Sequence, residues 1–272
     1  MLKNIPLSAA IGLIITATYF LAAIFAGVIA PYGMAETVGD VWEPSSSAFW
    51  LGTDQIGRDL LTRMIYGGQT TIFIATAATI LSFTTGSVLG FIAAVSGGWI
   101  DQVMSRLVDL FMSIPSLILA LVILSSIEAT VVTLIVIMGL LDSTRVYRLA
   151  RAVAVDISVM DYVEAARLRG EKLGWIIFRE ILPTALSPLV AEMGLRFIFM
   201  VLFISTLSFL GIGVQPPLAD WGGIVKENKE GINFGIGAAL YPAVAIATLA
   251  ISVNLVADWI LNRTTSLKGG RG

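Results

Sequence analysis

Residues 70–96 read TTIFIATAATILSFTTGSVLGFIAAVS and contain no charged side chain. A helix needs about 20 mostly apolar residues to cross the roughly 30 Å hydrocarbon layer of a membrane, so this stretch is long enough to span it. Residues 7–30 are also uncharged throughout. Because the apolar region of a signal peptide covers only about 7–15 residues, we interpret residues 7–30 as a retained membrane helix.

The composition of the whole chain indicates the same environment. Of its 272 residues, 57% are hydrophobic and 13% are charged, against roughly 25% charged residues in a soluble domain. The net charge of −2 provides no basic footprint for nucleic acid. The chain has no Cys and no His, which excludes disulfides, Cys or His metal ligands, thiol nucleophiles and Ser-His-Asp catalysis. No catalytic residue and no metal site are predicted.

Further apolar stretches predict an all-α membrane protein of about six transmembrane helices in one domain, 1–272. The predicted helices are about 7–30, 70–96, 110–127, 131–149, 187–211 and 238–261. The loops between them include two outer loops, 31–69 and 212–237, and one long polar segment, 151–186. The fifth helix is predicted to begin near Ser187-Pro188, because Ser is a favoured N-cap and Pro a favoured first helical residue.

The fourth stretch differs from a simple span. Its uncharged part, Val131–Leu141, is too short to cross a membrane alone, and Asp142, Arg145 and Arg148 follow in the same helical frame. We therefore expect protein to cover this helix, and we expect it to continue into water as an amphipathic rod.

Basic residues near the ends of the predicted helices set the orientation, because Lys and Arg concentrate in cytoplasmic loops. Four lie on one side: Arg58, Arg63, Lys226 and Lys229. Twelve lie on the other: Lys3, Arg106, Arg145, Arg148, Arg151, Arg167, Arg169, Lys172, Arg179, Arg263, Lys268 and Arg271. The second side, with both termini, is predicted to be cytoplasmic; the inverted bundle is the alternative.

The polar segment 151–186 carries the most specific motif. It contains Glu164-Ala165-Ala166, then Gly170, then Leu182-Pro183, with the proline thirteen positions after the glycine. Val163–Arg169 predicts a short helix that Gly170 ends, because glycine readily adopts left-handed dihedral angles. The small side chains of the two alanines let another surface approach the backbone closely. Pro183 is expected to stop this segment before the next span.

This motif resembles the cytoplasmic loop of binding-protein-dependent permeases of ATP-binding-cassette (ABC) importers. In that family the loop forms a coupling helix that sits in a groove of the ATPase. The resemblance therefore implies a coupling role for Glu164, Ala165, Ala166, Gly170, Leu182 and Pro183. Glu180 stands where the family usually has isoleucine. The implied fold is the type I ABC importer permease bundle.

Two stretches on the predicted outer side are similar to the second permease of dipeptide, oligopeptide and nickel importers. They are LGTDQIGRD at 51–59 and LSFLGIGVQPP at 207–217, the latter followed by Trp221-Gly222. The resemblance extends from about residue 50 to residue 260. It implies a docking surface for a soluble solute-binding protein, with these candidates: Asp54, Arg58, Asp59, Gln215, Pro216, Pro217 and Trp221. The alternative is an ordered outer loop that only packs on the bundle.

Charged residues inside a predicted span are costly in lipid and usually have a partner or a function. Glu192 and Arg196 lie four positions apart in the fifth helix, in the order that favours a helical ion pair. They are either such a pair or residues at the inner end of a solute pathway, with Asp258 as a further candidate. Met200 and Phe203 are either pathway residues or ordinary packing.

The chain has no Gly-x-x-x-x-Gly-Lys-Ser/Thr run, so it is not expected to bind nucleotide through a P-loop. The resemblance implies a non-enzymatic permease of the bacterial inner membrane that binds no cofactor itself. Its implied partners are a second homologous permease, two ATPase subunits that bind ATP and Mg, an extracytoplasmic solute-binding protein and membrane lipid. The implied solute is a di- or oligopeptide or a related small molecule.

Two other classes of protein remain as alternatives. An ion-coupled secondary transporter usually has inverted repeats and broken helices at mid-membrane, and no convincing repeat is evident in this sequence. A membrane scaffold or an intramembrane enzyme is the other alternative, although no catalytic constellation stands out.

Overall fold

The computed structural model describes the backbone of residues 5–269 and the side chains of residues 5–261. This part of the chain is helical and contains no strand. The first six helices are α1 (Leu7–Ile24), α2 (Ala26–Ile29), α3 (Leu60–Ser96), α4 (Gly98–Met112), α5 (Ser116–Ser126) and α6 (Val131–Ser158). The next three are α7 (Asp161–Leu168), α8 (Leu173–Trp175) and, after a π-helical segment (Ile176–Ile181), α9 (Leu182–Leu210). Then follow α10 (Trp221–Asn228), two short 3₁₀ segments (Lys229–Phe234 and Gly237–Ala239) and α11 (Leu240–Gly269).

Four helical stretches are long and apolar enough to cross a membrane: Leu7–Ile24, Leu60–Ser96, Leu173–Leu210 and Gly237–Leu261. A fifth results if α4 and α5 are counted as one span bent by 81°. The remaining long helix, α6, is less apolar because Asp142, Arg145, Arg148 and Arg151 follow its uncharged first eleven residues, Val131–Leu141. Its 28 residues nevertheless extend over about 42 Å. The predicted all-α membrane fold is confirmed, and α6 is the one long helix that needs protein cover.

The start of α3 corrects the sequence prediction. The helix begins at Leu60 and not near residue 70, so the end of the predicted loop 31–69 is helical. Asp59 caps the helix by accepting a hydrogen bond from the Thr62 N–H at 2.8 Å. Arg63 lies within the helix, and its buried guanidinium is paired with Glu227. At the other boundaries, the first helix is interrupted at Phe25 and α6 extends beyond residue 149 to Ser158.

Two prolines do not act as the sequence predicts. Pro183 does not stop the segment before the fifth span, and that span does not begin at Ser187-Pro188. α9 begins at Leu182, with Pro183 in its first turn and Pro188 in its interior. The first turn tolerates proline because the missing N–H has no helical partner there, and membrane helices accommodate interior prolines by local adjustment. The stretch Leu173–Leu210 is therefore one continuous rod.

The predicted third helix, 110–127, is split in two. α4 ends at Met112, α5 begins after Pro115, and the two meet at 81°. Proline fixes its own φ and disfavours a helical conformation in the residue before it, which accounts for a bend at this position. α4 carries charged Asp101 and Arg106 beside exposed Leu107. Such a helix suits the membrane surface, and the bend separates it from the apolar α5.

α3 and α6 form the most extensive helix contact in the described chain. Gly86 and Gly90 permit it: a Cβ at Gly86 would lie 2.6 Å from the Ser143 carbonyl oxygen, and one at Gly90 would lie 2.7 Å from that of Tyr147. Small residues at four-residue spacing allow such close approach of two membrane helices. In the same contact the Ser82 hydroxyl donates to Asp142 Oδ2 at 2.9 Å. The two helices therefore act as one packing unit.

The two ends of this bundle carry different structures. At one end lies a cap layer, which we define as residues 30–59 and 211–239, where α3 begins and α9 ends. At the opposite end, α7, α8 and the π-helical segment connect α6 to α9. A central apolar core joins α3, α6 and α9, and a second, smaller core lies under α7.

Candidate functional site

α7 is a two-turn helix whose end is set by Gly170. The φ of Gly170 is 78°, in the left-handed region that other residues rarely adopt. Its N–H donates to the Arg167 carbonyl at 2.9 Å, and the Glu171 N–H donates to the Ala166 carbonyl at 3.2 Å. These bonds satisfy the last carbonyls of the helix. The motif Glu164-Ala165-Ala166 thus lies on a helix that Gly170 terminates.

The two alanines of the motif face opposite sides of α7. Ala166 is buried with Val163 in the second core, against the end of α6 and the π-helical segment. Ala165 and Glu164 are exposed. Leu168, which was not among the sequence candidates, is 84% exposed. Leu168 follows Ala165 by three positions, so these two exposed side chains share one face of α7. Ala166 supports the helix from inside, whereas Ala165 and Leu168 are available to a partner.

Side-chain contacts fix α7 to the first turns of the Leu173–Leu210 rod. The Tyr162 and Thr184 hydroxyl oxygens lie 3.3 Å apart, and the Arg169 guanidinium lies 5.5 Å from the centre of the Trp175 ring. Leu182 packs on the second core, while Pro183 is exposed. Because these contacts join the two helices, a displacement of α7 would carry the start of α9 with it.

In the cap layer, three residues that the sequence predicts as docking candidates are buried. Asp54 accepts from Arg58 Nε at 2.6 Å. Asp59 is the N-cap of α3. Arg58 and Arg63 both donate to Glu227 Oε2, at 2.9 and 2.7 Å. Buried charges must be paired, so this network holds the cap layer on α3. The burial of Asp54, Arg58 and Asp59 favours the alternative of an outer loop that packs on the bundle.

Trp221 is also internal. It is 2% exposed, its Nε1–H donates to the Met64 carbonyl at 3.0 Å, and its ring lies over Gly68. The ring therefore anchors α10 to α3, which favours the packing alternative for Trp221. The remaining candidates, Gln215, Pro216 and Pro217, are exposed, and Gln215 Nε2 donates back to the Gly213 carbonyl at 3.0 Å.

Two aromatic residues of the cap layer were missed by the sequence reasoning. Trp50 is 71% exposed and Phe234 is 73% exposed. The sequence did offer one signal. Each is a large aromatic residue in a turn-rich segment without helical or strand periodicity, so no buried position is predicted for its ring. With Gln215, Pro216 and Pro217, these residues are among the exposed side chains of the cap layer that a partner can reach.

Burial changes the acidity of two carboxyl groups in the cap layer. Asp220 caps α10 by accepting from the Gly222 and Gly223 N–H groups at 3.1 and 3.3 Å. Its burial raises its pKa to about 7, although these hydrogen bonds and one with Ser208 act in the opposite direction. Burial also raises the pKa of Glu227, against the effect of Arg58.

We expect the cap layer to lose stability as the pH rises. Asp220 ionises near pH 3.8 when unfolded and near 7 when folded. The protonated carboxyl therefore favours the folded state, and this contribution is lost as the pH rises from 3.8 to about 7. The loss is roughly 4 kcal/mol for a shift of about 3 pKa units. Asp220→Asn keeps a side-chain acceptor but does not ionise. In detergent, its Tm should fall less than that of the parent between about pH 5 and about pH 8.

A control separates the charge of Asp220 from its role as a cap. Asp220→Ala removes both the charge and the cap, so its Tm should be lower than that of Asp220→Asn at about pH 5 and at about pH 8. Equal changes of Tm with pH in the parent and in Asp220→Asn would contradict the expected role of this carboxyl.

A charge cluster, which we define as Asp142, Glu192 and Arg196, lies in the membrane part of the bundle. Arg196 Nη2 donates to Glu192 Oε1 at 2.6 Å, and Arg196 Nη1 lies 3.5 Å from Asp142 Oδ1. Glu192 and Arg196 thus form the pair that their spacing predicts. The third member is Asp142 of α6 and not Asp258 of α11, so one guanidinium connects two carboxylates on different helices.

Met200 and Phe203 belong to the central core, where Met200 is fully buried and Phe203 nearly so. The stripe that the sequence shows packs within this chain, which favours the alternative of ordinary packing for both residues. Glu192 and Arg196 remain about one-quarter exposed.

These features define a class of protein. A bundle of apolar helices with one continuous rod, an exposed short helix fixed to that rod at one end and an ordered cap layer at the other has the architecture of a transporter's membrane subunit. The chain belongs to the family described as binding-protein-dependent transport system inner membrane component, which matches residues 86–266. It is therefore a multi-pass inner-membrane protein and a membrane subunit of an ABC importer.

Curated relatives resemble most of the chain. It is 31% identical over 251 residues to the dipeptide transport system permease protein DppC of Alkalihalophilus pseudofirmus, covering 92% of this chain and 83% of that protein. It is 32% identical over 257 residues to DppC of Haemophilus influenzae, covering 92% and 87%. It is 30% identical over 251 residues to the oligopeptide transport system permease protein OppC of Bacillus subtilis, covering 92% and 82%.

Proposed function

We propose that this chain is one of two homologous permeases that form the pathway of a peptide importer. Its dipeptide and oligopeptide transport relatives support the class of solute. Two ATPase subunits would bind ATP and Mg, this chain would bind neither, and it would not be an enzyme. We place α7 and both termini in the cytoplasm and the cap layer outside. The predicted orientation also rests on four basic residues whose side chains the structure does not describe: Lys3, Arg263, Lys268 and Arg271.

The exposed face of α7 is the observation that carries this proposal. Leu168 and Ala165 are open to a partner, while Val163 and Ala166 hold the helix on the bundle. An apolar tip beside a small residue fits a groove of a folded partner, and the backbone can approach closely at the alanine. The partner that fits a transporter without a P-loop of its own is an ATPase subunit.

The same contacts support a mechanism. When ATP closes the ATPase dimer, each α7 moves with the ATPase surface that holds it. The contacts of Tyr162 with Thr184 and of Arg169 with Trp175 carry that motion into the Leu173–Leu210 rod. The bundle then changes between two states, biased by ATP at one end and by the loaded solute-binding protein at the cap layer. The candidates for contact with the solute-binding protein are exposed residues of the cap layer: Gln215, Pro216, Pro217, Trp50 and Phe234.

The test is transport by the assembled complex. The chain is purified with its second permease and ATPases, placed in liposomes with MgATP or MgADP inside, and supplied outside with the solute-binding protein and a labelled dipeptide. We expect uptake with MgATP only, and loss of uptake without the binding protein. Uptake by this chain alone, driven by a proton or sodium gradient, would contradict the proposal and would establish the secondary transporter. Competition by unlabelled peptides, and not by nickel complexes or glycosides, would identify the class of solute.

A further inference from the structure

An apolar lateral groove opens on the side of the bundle, between α3, α4, α5 and α6. Its volume is about 500 Å³. Apolar side chains dominate the lining, and its three hydroxyl groups are those of Ser143, Thr144 and Tyr147. The groove is formed by the bend between α4 and α5, because α4 turns away by 81° and leaves this side of α6 uncovered.

The lateral groove is elongated and apolar. Its lining extends along α6 from Ile137 to Tyr147, a length of about 15 Å at the rise of an α-helix. A hydrocarbon chain of a lipid has the length and the apolar character that suit this lining.

At its end nearer α7, the lateral groove meets a polar pocket. This pocket is lined by Ser105, Asp109, Tyr147, Arg148, Arg151 and Ala152, so Tyr147 belongs to both spaces. Its position along α6 follows that of the groove in the direction of Ser158. A chain in the groove would therefore lie within the membrane, and its polar end would lie at the membrane surface on the side of α7.

The charges at this polar end leave one arginine open to a ligand. Arg151 is held by a bidentate pair with Asp101. The guanidinium of Arg148 contacts the Met112 sulfur at 3.8 Å. Among the ion pairs of the described residues, none involves Arg148. Asp109 is the acidic group of the pocket that has no ion pair there.

We propose that the lateral groove and the polar pocket together bind one phospholipid of the leaflet on the side of α7. The acyl chain lies in the groove, and the phosphate group contacts Arg148 in the polar pocket. Arginine matches the geometry of phosphate oxygens, and basic pockets between membrane helices on the positively charged side suit anionic lipid headgroups. The lipid fills a surface that the bundle itself leaves open between α4 and α6.

The test measures lipid retained by the intact transporter. The purified complex of both permeases and ATPases is exchanged into nanodiscs of phosphatidylcholine containing phosphatidylglycerol, released, and weighed by native mass spectrometry. We expect one retained phosphatidylglycerol per copy of this chain. Arg148→Gln removes the phosphate contact and Val108→Trp fills the groove, and each should lower retention about tenfold, which is about 1.4 kcal/mol. Arg179→Gln, an exposed arginine on the π-helical segment, is the matched control and should retain the lipid.

Further outcomes decide between this ligand and other occupants. Equal retention by Val108→Trp and the parent, in complexes that keep their subunits, would overturn the proposal. A parent complex without retained lipid would also overturn it and would indicate that the partner permease covers the groove. Displacement by inorganic phosphate, or equal retention of a short-chain phosphatidylglycerol, would show an anion site without an acyl-chain site and would contradict the role of the groove.

Discussion

Leu168→Asp is expected to separate this chain from its ATPase while the membrane bundle stays folded. Leu168 is 84% exposed, so the substitution removes almost no contact within the chain. In the assembled importer the same side chain would be buried, and a carboxylate placed there without a partner costs several kcal/mol. We expect the ATPase recovered with the chain to fall by more than about tenfold, which corresponds to about 1.4 kcal/mol, and ATP-driven uptake to be lost.

Matched variants make this prediction specific. Ile232→Asp changes a leucine-sized residue that is 51% exposed in the cap layer, and it should leave ATPase recovery unchanged. Ala165→Trp should act like Leu168→Asp, because it fills the exposed side where a partner approaches the helix. Each variant is compared with the parent by its Tm in detergent. Full ATPase recovery with both Leu168→Asp and Ala165→Trp, at unchanged Tm, would contradict the docking role of α7.

The position of α7 was predictable because its signals are local. Gly170 must stand where the chain turns with a positive φ, and its distance from Glu164-Ala165-Ala166 sets the length of the helix. The face that α7 exposes was not predictable. A helix of eight residues is too short for a clear apolar period. The burial of Ala166 and the exposure of Leu168 depend on contacts with α6 and the π-helical segment.

The cap layer shows where sequence reasoning fails for a different reason. Asp54, Arg58 and Asp59 lie in a turn-rich polar stretch, where charged residues normally face water. Their burial depends on Glu227, which is 169 positions from Arg58 in the sequence. No local pattern contains that contact. One signal was available, since Arg63 follows Asp59 by four positions, the spacing of one helical turn, and it indicated that α3 begins before residue 70.

The helix boundaries fail for a reason specific to membranes. Rules for prolines and charges describe helices in water, where a charge ends an apolar span and a proline ends a helix. Pro188 remains inside α9 because lipid makes an unravelled backbone costly. Arg63 remains inside α3 because its charge is neutralised by the cap layer. The all-α membrane fold was predictable from apolar runs alone, whereas the position of each helix end depended on tertiary contacts.

Removal of Arg196 is expected to be the most destabilising single substitution in the charge cluster. The side chain of Asp142 is 1% exposed, and its other partner is the Ser82 hydroxyl. Arg196→Met would leave the carboxylates of Asp142 and Glu192 in the bundle without a cation. Breaking a buried ion pair from one side costs about 3–5 kcal/mol, so we expect a large loss of Tm and of folded complex. Glu192→Gln should cost less, because Arg196 keeps Asp142.

A charge exchange then separates packing from a role in transport. Exchanging Glu192 and Arg196 would restore a simple pair of two residues, but here it places a carboxylate at position 196 beside Asp142. We therefore expect the double variant to remain unstable, and we expect the further substitution Asp142→Asn to recover the Tm. If the stable triple variant also transports peptide, the charge cluster holds α6 and α9 together and has no direct role in transport. If it folds and binds the ATPase but transports poorly, the exposed quarter of Glu192 and Arg196 faces the solute. If the double variant recovers the Tm without Asp142→Asn, that result would contradict the interaction of Asp142 with position 196.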